Sequence, residues 1–251
     1  MKKIFLIFIM AVAVAACQKE PPVTATIDQN GDCVIQNSLV CFRINGSNNP
    51  VVTNGMEAIL KAGSSKKDIV VKDRKAAVAA SLNDGGSALM LNDSLYYPHE
   101  NFESFELVEQ TDRHVIFKLT YPKFLVGEDS VTLYRNITLR ENSYYCEVKD
   151  SYDVGHVGQN ITVVAGFAKR NVEKSEVGND YIIAWESVPD EGNMGVGILM
   201  PMTKKFEFDG PEDNAVAIYD TKSGRPCSYA VGYCWSQGAL PDYDSWAKLI
   251  R

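Results

Sequence analysis

The sequence predicts an all-β fold, a large antiparallel β-sandwich with one or two short helices. From residue 69 onward, apolar side chains recur with a period of two, which is typical of half-buried strands. Gly, Asn and Asp residues separate these segments and favour turns. No internal repeat of fixed length occurs, and residues 28–251 have the length of a single sandwich domain.

The first segment has the features of a secretory signal peptide. Lys2 and Lys3 precede an apolar stretch, residues 4–14, which is shorter than the ~20 residues that a membrane-spanning helix needs. Small residues follow, as at a cleavage point. We therefore expect residues 1–16 to be removed.

Cys17 is the expected lipidation site. The sequence VAAC that ends at Cys17 resembles the lipobox of bacterial lipoproteins, in which the acylated cysteine becomes the first mature residue. An ordinary secreted protein with an unmodified cysteine is the alternative. Gln18, in place of an aspartate, argues against retention at the inner membrane, so we expect the outer membrane, on its periplasmic or cell-surface face. Residues 17–27 are predicted to be a tether.

The charge balance argues against a nucleic-acid partner. The chain carries a formal net charge of −7, and no basic stripe is present. A protein that binds a phosphate backbone needs clustered Lys and Arg side chains to neutralise it. Nucleic acid is therefore not an expected partner.

The cysteines beyond Cys17 do not form a metal-binding pattern. Their spacing matches no zinc site, and no histidine cluster accompanies them, so no metal is predicted and the cofactor is left open. Their odd number prevents complete pairing within one chain. The alternatives are a disulfide between Cys33 and Cys41 or between Cys227 and Cys234, or buried free thiols at all these positions. The fifth cysteine is Cys146.

The elements follow from local patterns. Asn30-Gly31 predicts a hairpin turn before a strand at 38–44, and residues 53–63 read as a short helix ended by Gly63. Residues 114–122 and 130–140 alternate as strands, the second with Arg135 in its apolar register. Further strands are expected at about 160–169, 180–187, 194–201, 214–220 and 227–235.

The chain should close on a helix at 242–251. Asp242 or Asp244 is placed to cap it, and Trp246 falls on the same face as Leu249 and Ile250.

Several segments in order resemble an uncharacterised bacterial family, domain of unknown function 4861. They are GGSALMLNDSLYYPHENFESFELVEQ, VTLYRNITLRENSYYCEV, VVAGFAKRN, YIIAWES, GVGILMP and GYCWSQGALPDYDSWAKLI. The resemblance covers residues 34–251 and implies a galactose-mutarotase-like β-supersandwich in a secreted protein, of a family often encoded beside polysaccharide-processing enzymes. Residues 54–84 contain no histidine, where members of the family have a segment rich in His, Gly, Glu and Asp.

One candidate site lies in the segment YYPHENFE, residues 96–103. Acid–base chemistry on sugars needs two proton-transferring groups that face one pocket, and His99 with Glu100 supplies such types beside the aromatic Tyr97. His156, in a glycine-flanked loop, and Glu186 are the other candidate catalytic residues. A polar loop without catalytic function is the alternative for both segments.

The candidate substrate-binding residues are basic or aromatic. Lys169 and Arg170 follow an apolar strand where the resembled family has a similar basic pair, and arginine pairs bidentately with carboxylates. Two solvated bases at a strand end are the alternative. Arg135 is either a core ion-pair residue or part of a concave lining, since a charge in an apolar register needs a partner or a cavity. Trp185 and Trp235 are sugar-stacking platforms or core residues.

The sequence therefore predicts an outer-membrane lipoprotein that binds or processes carbohydrate, a complex or acidic glycan, in polysaccharide utilisation. Whether it is an enzyme is left open. A non-catalytic glycan-binding or structural envelope lipoprotein that has lost the family's active-site segment is the alternative.

Overall fold

The computed structural model describes residues 22–60, 69–71, 82–201 and 203–251. Within these ranges the chain forms antiparallel strands in three sheets and one short α-helix. This architecture confirms the predicted all-β sandwich. The predicted signal peptide and Cys17 lie outside the described residues. No helix in the described ranges has the length and apolarity needed to cross a bilayer.

The N-terminal sheet has the strand order β1-β2-β3-β4-β5. Its strands are β1 (Thr24–Ile27), β2 (Cys33–Gln36), β3 (Cys41–Ile44), β4 (Glu57–Leu60) and β5 (Ile69–Val70).

Two sequence predictions are wrong in this sheet. The tether was expected to reach residue 27, but β1 pairs with β2 and its Ala25 side chain is buried. The helix expected at 53–63 is replaced at Glu57–Leu60 by β4, while residues 61–63 lie outside the described ranges. Pairing with β3, reinforced by a salt bridge between Arg43 and Glu57, overrides the local helical pattern.

The large sheet has the order β14-β15-β16-β19-β12-β11-β9-β8, with β10 paired to β11. Its strands are β8 (Ser104–Gln110), β9 (His114–Thr120), β10 (Phe124–Val126), β11 (Asp129–Arg140), β12 (Tyr145–Asp153), β14 (Val172–Val177), β15 (Tyr181–Val188), β16 (Gly192–Leu199) and β19 (Cys227–Trp235). The predicted alternation of β9 and β11 is confirmed, because every second side chain is buried in the core.

The third sheet has the order β17-β18-β13-β6-β7. Its strands are β6 (Asp84–Leu91), β7 (Ser94–Tyr96), β13 (Asn160–Ala168), β17 (Lys205–Glu207) and β18 (Asn214–Lys222). It packs on β15, β16 and β19 of the large sheet, and the N-terminal sheet contacts β9. One apolar core is shared by all three sheets.

The closing helix, α1 (Tyr243–Ile250), confirms the sequence prediction. The Asp242 side chain caps it by accepting a hydrogen bond of 2.8 Å from the backbone N–H of Ser245. Trp246 is fully buried and stacks on Tyr145, with 5.7 Å between ring centroids. The helix thereby covers the outer face of β15 and β16.

The five described cysteines form no disulfide, and all are buried. The buried-thiol alternative therefore applies to Cys33 and Cys41 and to Cys227 and Cys234. Burial raises the pKa of the Cys234 thiol to about 12, which keeps it protonated at neutral pH.

Candidate functional site

A cavity of about 900 Å³ opens at one end of the third sheet. There β6 and β18 end and β13 begins, because both strands run antiparallel to β13. The loop between β12 and β13 and the turn between β18 and β19 border the cavity. Its volume is within the range of small-molecule sites.

The cavity lining combines apolar side chains with hydrogen-bonding groups. The half-buried Tyr219 contributes an aromatic ring. The apolar members are Leu89, Met90, Leu91, Val126, Val154, Ile161 and Pro226. The other polar members are Asp129, Gln159, Asn160, Thr162, Lys204, Asp220, Thr221, Lys222 and Arg225.

Three of the polar groups form a fixed unit across neighbouring strands. Asp220 accepts a hydrogen bond of 2.9 Å from the Thr162 hydroxyl and lies 2.9 Å from the Lys204 ammonium. Hydrogen bonds from Lys204 and Thr162 lower the pKa of Asp220, so this group is a carboxylate at neutral pH. The unit presents donors and acceptors side by side at the cavity.

The β18–β19 turn holds two basic side chains at the cavity. The Arg225 N–H donates to the Lys222 carbonyl at 2.9 Å, and Gly224 takes the left-handed conformation that this turn requires, with φ of 77°. Lys222 and Arg225 are exposed, and no described ion pair includes either. The cavity therefore has two cations that form no ion pair with a carboxylate of the described residues.

His156 lies in the β12–β13 loop, whose two ends line the cavity at Val154 and Gln159. Its side chain is exposed, and its carbonyl accepts a hydrogen bond of 3.2 Å from the Gln159 N–H. The loop is tied to the β18–β19 turn, since the Val154 N–H donates to the Ser223 hydroxyl at 3.1 Å. Of the predicted catalytic residues, His156 is the one whose loop borders this cavity.

Arg170 and Glu186 lie at the other end of β13 and pair with each other. Arg170 Nε is 2.7 Å from Glu186, and Arg170 Nη2 is 2.9 Å from Asp84. Burial lowers the pKa of Arg170, and the two carboxylates raise it. The pKa is, on balance, above the usual value for arginine. The guanidinium thus joins β6, β13 and β15, rather than presenting a free fork to a substrate carboxylate as the sequence suggested.

Lys169 and Tyr97 lie in the same region and are also engaged by protein groups. The Lys169 ammonium lies 2.5 Å from Asp209 and 2.7 Å from Asp213, and the Tyr97 hydroxyl donates to Glu212 at 2.7 Å. Lys169 is about 25–30 Å from the cavity, because nine residues of β13 at ~3.3 Å each separate the two, whereas the backbone of Tyr97 follows β7 beside Leu89, which lines the cavity. The structure therefore brings Lys169, Arg170 and Glu186 together at one end of β13, apart from the His156 loop at its other end.

Arg135 takes the core ion-pair alternative. Its side chain has no exposed surface, and it donates to both carboxylate oxygens of Asp150 at 2.8 and 2.7 Å. Burial lowers the pKa of Arg135, and Asp150 raises it. The pKa is, on balance, above the usual value for arginine. The side chain is fully buried and does not line the 900 Å³ cavity, so the structure gives no support to the prediction that it binds substrate.

The two tryptophans are buried and do not form exposed platforms. Trp185 packs under helix α1, in a cluster with Trp246 and Cys234. Trp235 donates its indole N–H to the Glu191 carbonyl at 2.8 Å and lines a second, smaller cavity of about 230 Å³. Core packing accounts for Trp185, and Trp235 retains one face toward this smaller cavity.

The predicted proton-transfer pairs are not joined in this structure. His99 is exposed with its ring 6.1 Å from that of Phe124, and Glu100 is exposed. Among the described residues, no hydrogen bond or ion pair links His99 or His156 to Glu100 or Glu186. In the same ranges, no group of His, Cys, Asp and Glu side chains has the arrangement of a metal site.

Sequence reasoning missed the basic and acidic residues of the cavity. Three of them, Asp220, Lys222 and Arg225, occur with the aromatic Tyr219 in one short segment that spans the end of β18 and the following turn. The pair Ser223-Gly224 marks this turn in the sequence. Lys204 is distant in sequence and joins the group through β17–β18 pairing.

Comparison with solved structures gave matches of low identity. A protein from the human microbiome assigned as a kojibiose phosphorylase matches with a TM-score of 0.49 and 8% identity. The match covers 92% of this chain and 35% of the chain of that protein. The heparan sulfate lyase HepC of Pedobacter heparinus also scores 0.49 at 8% identity, over 86% and 37%. A 4-alpha-glucanotransferase of Thermococcus litoralis scores 0.40 at 10% identity, over 87% and 42%.

The chain thus spans well under half the length of these three structures. A search of curated proteins found no match to the sequence. A family model described as "Domain of unknown function (DUF4861)" matches residues 76–251, which is more than half of the chain. The match includes β6 to α1 and every residue of the 900 Å³ cavity. The chain therefore belongs to the DUF4861 family.

Proposed function

We propose that this protein binds a complex glycan in the 900 Å³ cavity at the end of the third sheet. The cavity and its mixed lining carry this proposal. A sugar ring presents closely spaced hydroxyls around an apolar face, so its site needs paired donors and acceptors beside apolar surface. The paired donors and acceptors are those of Asp220, Thr162 and Lys204. The apolar surface is that of Leu89, Ile161 and Tyr219.

The lipid anchor completes the proposal. Acylation of Cys17 would hold the domain at the outer membrane, where polysaccharide fragments arrive during their utilisation. Two or more acyl chains anchor a protein stably, at about 0.8 kcal/mol per buried CH₂ group. We propose binding rather than catalysis as the primary activity, because the predicted His and Glu candidates are not paired with one another.

A glycan array screened with the protein lacking residues 1–16, followed by calorimetric titration of the hits, tests binding. Asp220→Asn should weaken the affinity for a hit about tenfold, since it removes the negative charge that pairs with Lys204 and replaces one acceptor oxygen at the cavity by an amide donor. Chromatography of the hit after prolonged incubation should return the glycan unchanged.

Glu147→Gln is the matched control for Asp220→Asn. Glu147 forms an ion pair of the same length, 2.9 Å, with Arg140, it is exposed to a similar degree, and it does not line the cavity. The control should bind as the wild type does. The proposal is contradicted if both variants weaken binding equally or if the wild type binds no glycan. If chromatography shows new products, the protein is catalytic and the proposal of binding alone is contradicted.

A further inference from the structure

We infer that the β18–β19 turn is an anion subsite of this cavity, in which Lys222 and Arg225 receive a carboxylate or sulfate substituent of the glycan. The inference rests on the proposed function and deepens it, since it names the chemical class of the ligand. It depends on three observations: the charges that line the cavity, the pairing of those charges, and the anchoring of the turn.

The cavity lining carries more positive than negative charge. It has three basic side chains, Lys204, Lys222 and Arg225, and two carboxylates, Asp129 and Asp220. The protein as a whole carries a formal charge of −7, so its surface repels anions on average. A local cationic patch in such a protein attracts an anionic ligand to one place.

The pairing within the cavity concentrates this excess at the turn. Lys204 and Asp220 neutralise one another at 2.9 Å, and Asp129 accepts a hydrogen bond of 3.4 Å from the Gln159 amide. No ion pair of the described chain involves Lys222 or Arg225. Their charges therefore remain available to a ligand.

The backbone of the turn is held in place before a ligand binds. The Ser223 N–H donates to the Gln159 carbonyl and the Gly224 N–H to the Tyr152 carbonyl, both at 2.8 Å. The Ser223 hydroxyl in turn accepts from the Val154 N–H. Such anchoring reduces the ordering cost of binding to that of the two side chains.

The chemistry of the side chains fits a planar or tetrahedral oxyanion. The guanidinium of Arg225 offers parallel N–H donors that match two oxygens of one carboxylate or sulfate group. The ammonium of Lys222 adds a point charge from the other end of the turn. A uronic acid or a sulfated sugar is the ligand class that carries such groups.

Calorimetric titration with four tetrasaccharides tests the inference. The probes are tetragalacturonate, its methyl ester, the sulfated tetrasaccharide of κ-carrageenan, and the same tetrasaccharide after desulfation. The wild type should bind at least one anionic probe about tenfold more tightly than its neutral counterpart. This preference should decrease as salt is raised from 0.05 to 0.5 M, in the manner of exposed charges. The anionic probe that shows the preference identifies the substituent.

The variant Lys222→Gln/Arg225→Gln should lose the preference, so that it binds each anionic probe no more tightly than the matching neutral probe. Arg113→Gln/Lys248→Gln is the control, because it removes the same two charges from exposed, unpaired side chains outside the cavity. Equal affinity of wild type for charged and neutral probes, or a preference retained without Lys222 and Arg225, overturns the anion subsite alone. No binding of any of the four probes, together with an empty glycan array, overturns the proposed function as well.

Discussion

Arg135 is a buried guanidinium whose polar partners come from distant parts of the chain. Besides Asp150, it donates to the Asn54 carbonyl, the Ser87 hydroxyl and the Tyr229 hydroxyl. Asp150 also accepts hydrogen bonds from Ser87 and Tyr229, at 2.6 and 2.8 Å. A buried charge is tolerated only when its hydrogen-bonding capacity is met in this way, so each partner carries a share of the stability.

Asp150→Asn should therefore destabilise the fold strongly. The substitution preserves shape but leaves the Arg135 charge buried without a counter-charge, which typically costs about 3–5 kcal/mol. Urea unfolding followed by tryptophan fluorescence measures the change in the free energy of unfolding.

The neighbouring surface residue Glu147 serves as the control for this measurement. Its ion pair with Arg140 is exposed, so Glu147→Gln should change the free energy of unfolding by less than about 1 kcal/mol. A similar small change for Asp150→Asn would show that the buried pair does not support the fold.

Helix α1 is fastened to the large sheet by one carboxylate, that of Glu176 on β14. Glu176 accepts hydrogen bonds from Tyr181 of β15, from Tyr243 of α1 and from Arg251, which follows the helix. The hydrogen bonds from Arg251 and Tyr181, in that order, lower the pKa of Glu176 to about 2. The helix thus adds a charge-dependent contact to the apolar contact of Trp246.

Glu176→Gln should lower the melting temperature at neutral pH, and the difference from wild type should disappear in acid. Because the folded-state pKa of Glu176 lies below the ordinary value of 4.5, its contribution is complete above pH 4.5 and is lost as the pH falls toward 2. Thermal melts of both proteins from pH 7 to pH 2 follow this loss. Glu128→Gln, at an exposed carboxylate without an ion pair, should show no such pH-dependent difference.

The contact between the β12–β13 loop and the β18–β19 turn can be tested by substitution of Ser223. Ser223→Ala removes the acceptor of the Val154 N–H and should cost about 1 kcal/mol of stability. It should also weaken binding of the anionic tetrasaccharide, since the loop and the turn lose one of the hydrogen bonds that hold them together. Titration calorimetry and urea unfolding measure the two effects; unchanged affinity would show that the contact does not preorganise the cavity.

At the scale of the whole molecule, we propose that lipidation of Cys17 determines where the domain works. Cys17→Ala should abolish labelling by radioactive palmitate and release the protein into the soluble periplasmic fraction, because no acylated residue then remains. Gln18→Asp should keep the label but move the protein to the inner-membrane fraction on a sucrose gradient. A Cys17→Ala protein that still labels with palmitate would contradict the predicted anchor.

The sequence alone determined which side chains of many strands point inward. Val115, Phe117 and Leu119 are buried because side-chain direction alternates along any strand, which is a local property. The same reasoning predicted the capped helix α1 with Trp246 buried, and the resemblance of residues 34–251 predicted the family that the family model confirms.

Only the tertiary structure decided which of these side chains meet. Arg170 is 86 residues from Asp84 along the chain, and their contact depends on the pairing of β6 with β13. The cavity likewise joins Lys204 to Asp220 through the β17–β18 register. Local periodicity specifies the face of a strand but not its neighbour or its register, because those depend on long-range packing and hydrogen bonds between distant segments. For the same reason, the segment 57–60 became a strand once β3 was available as its partner.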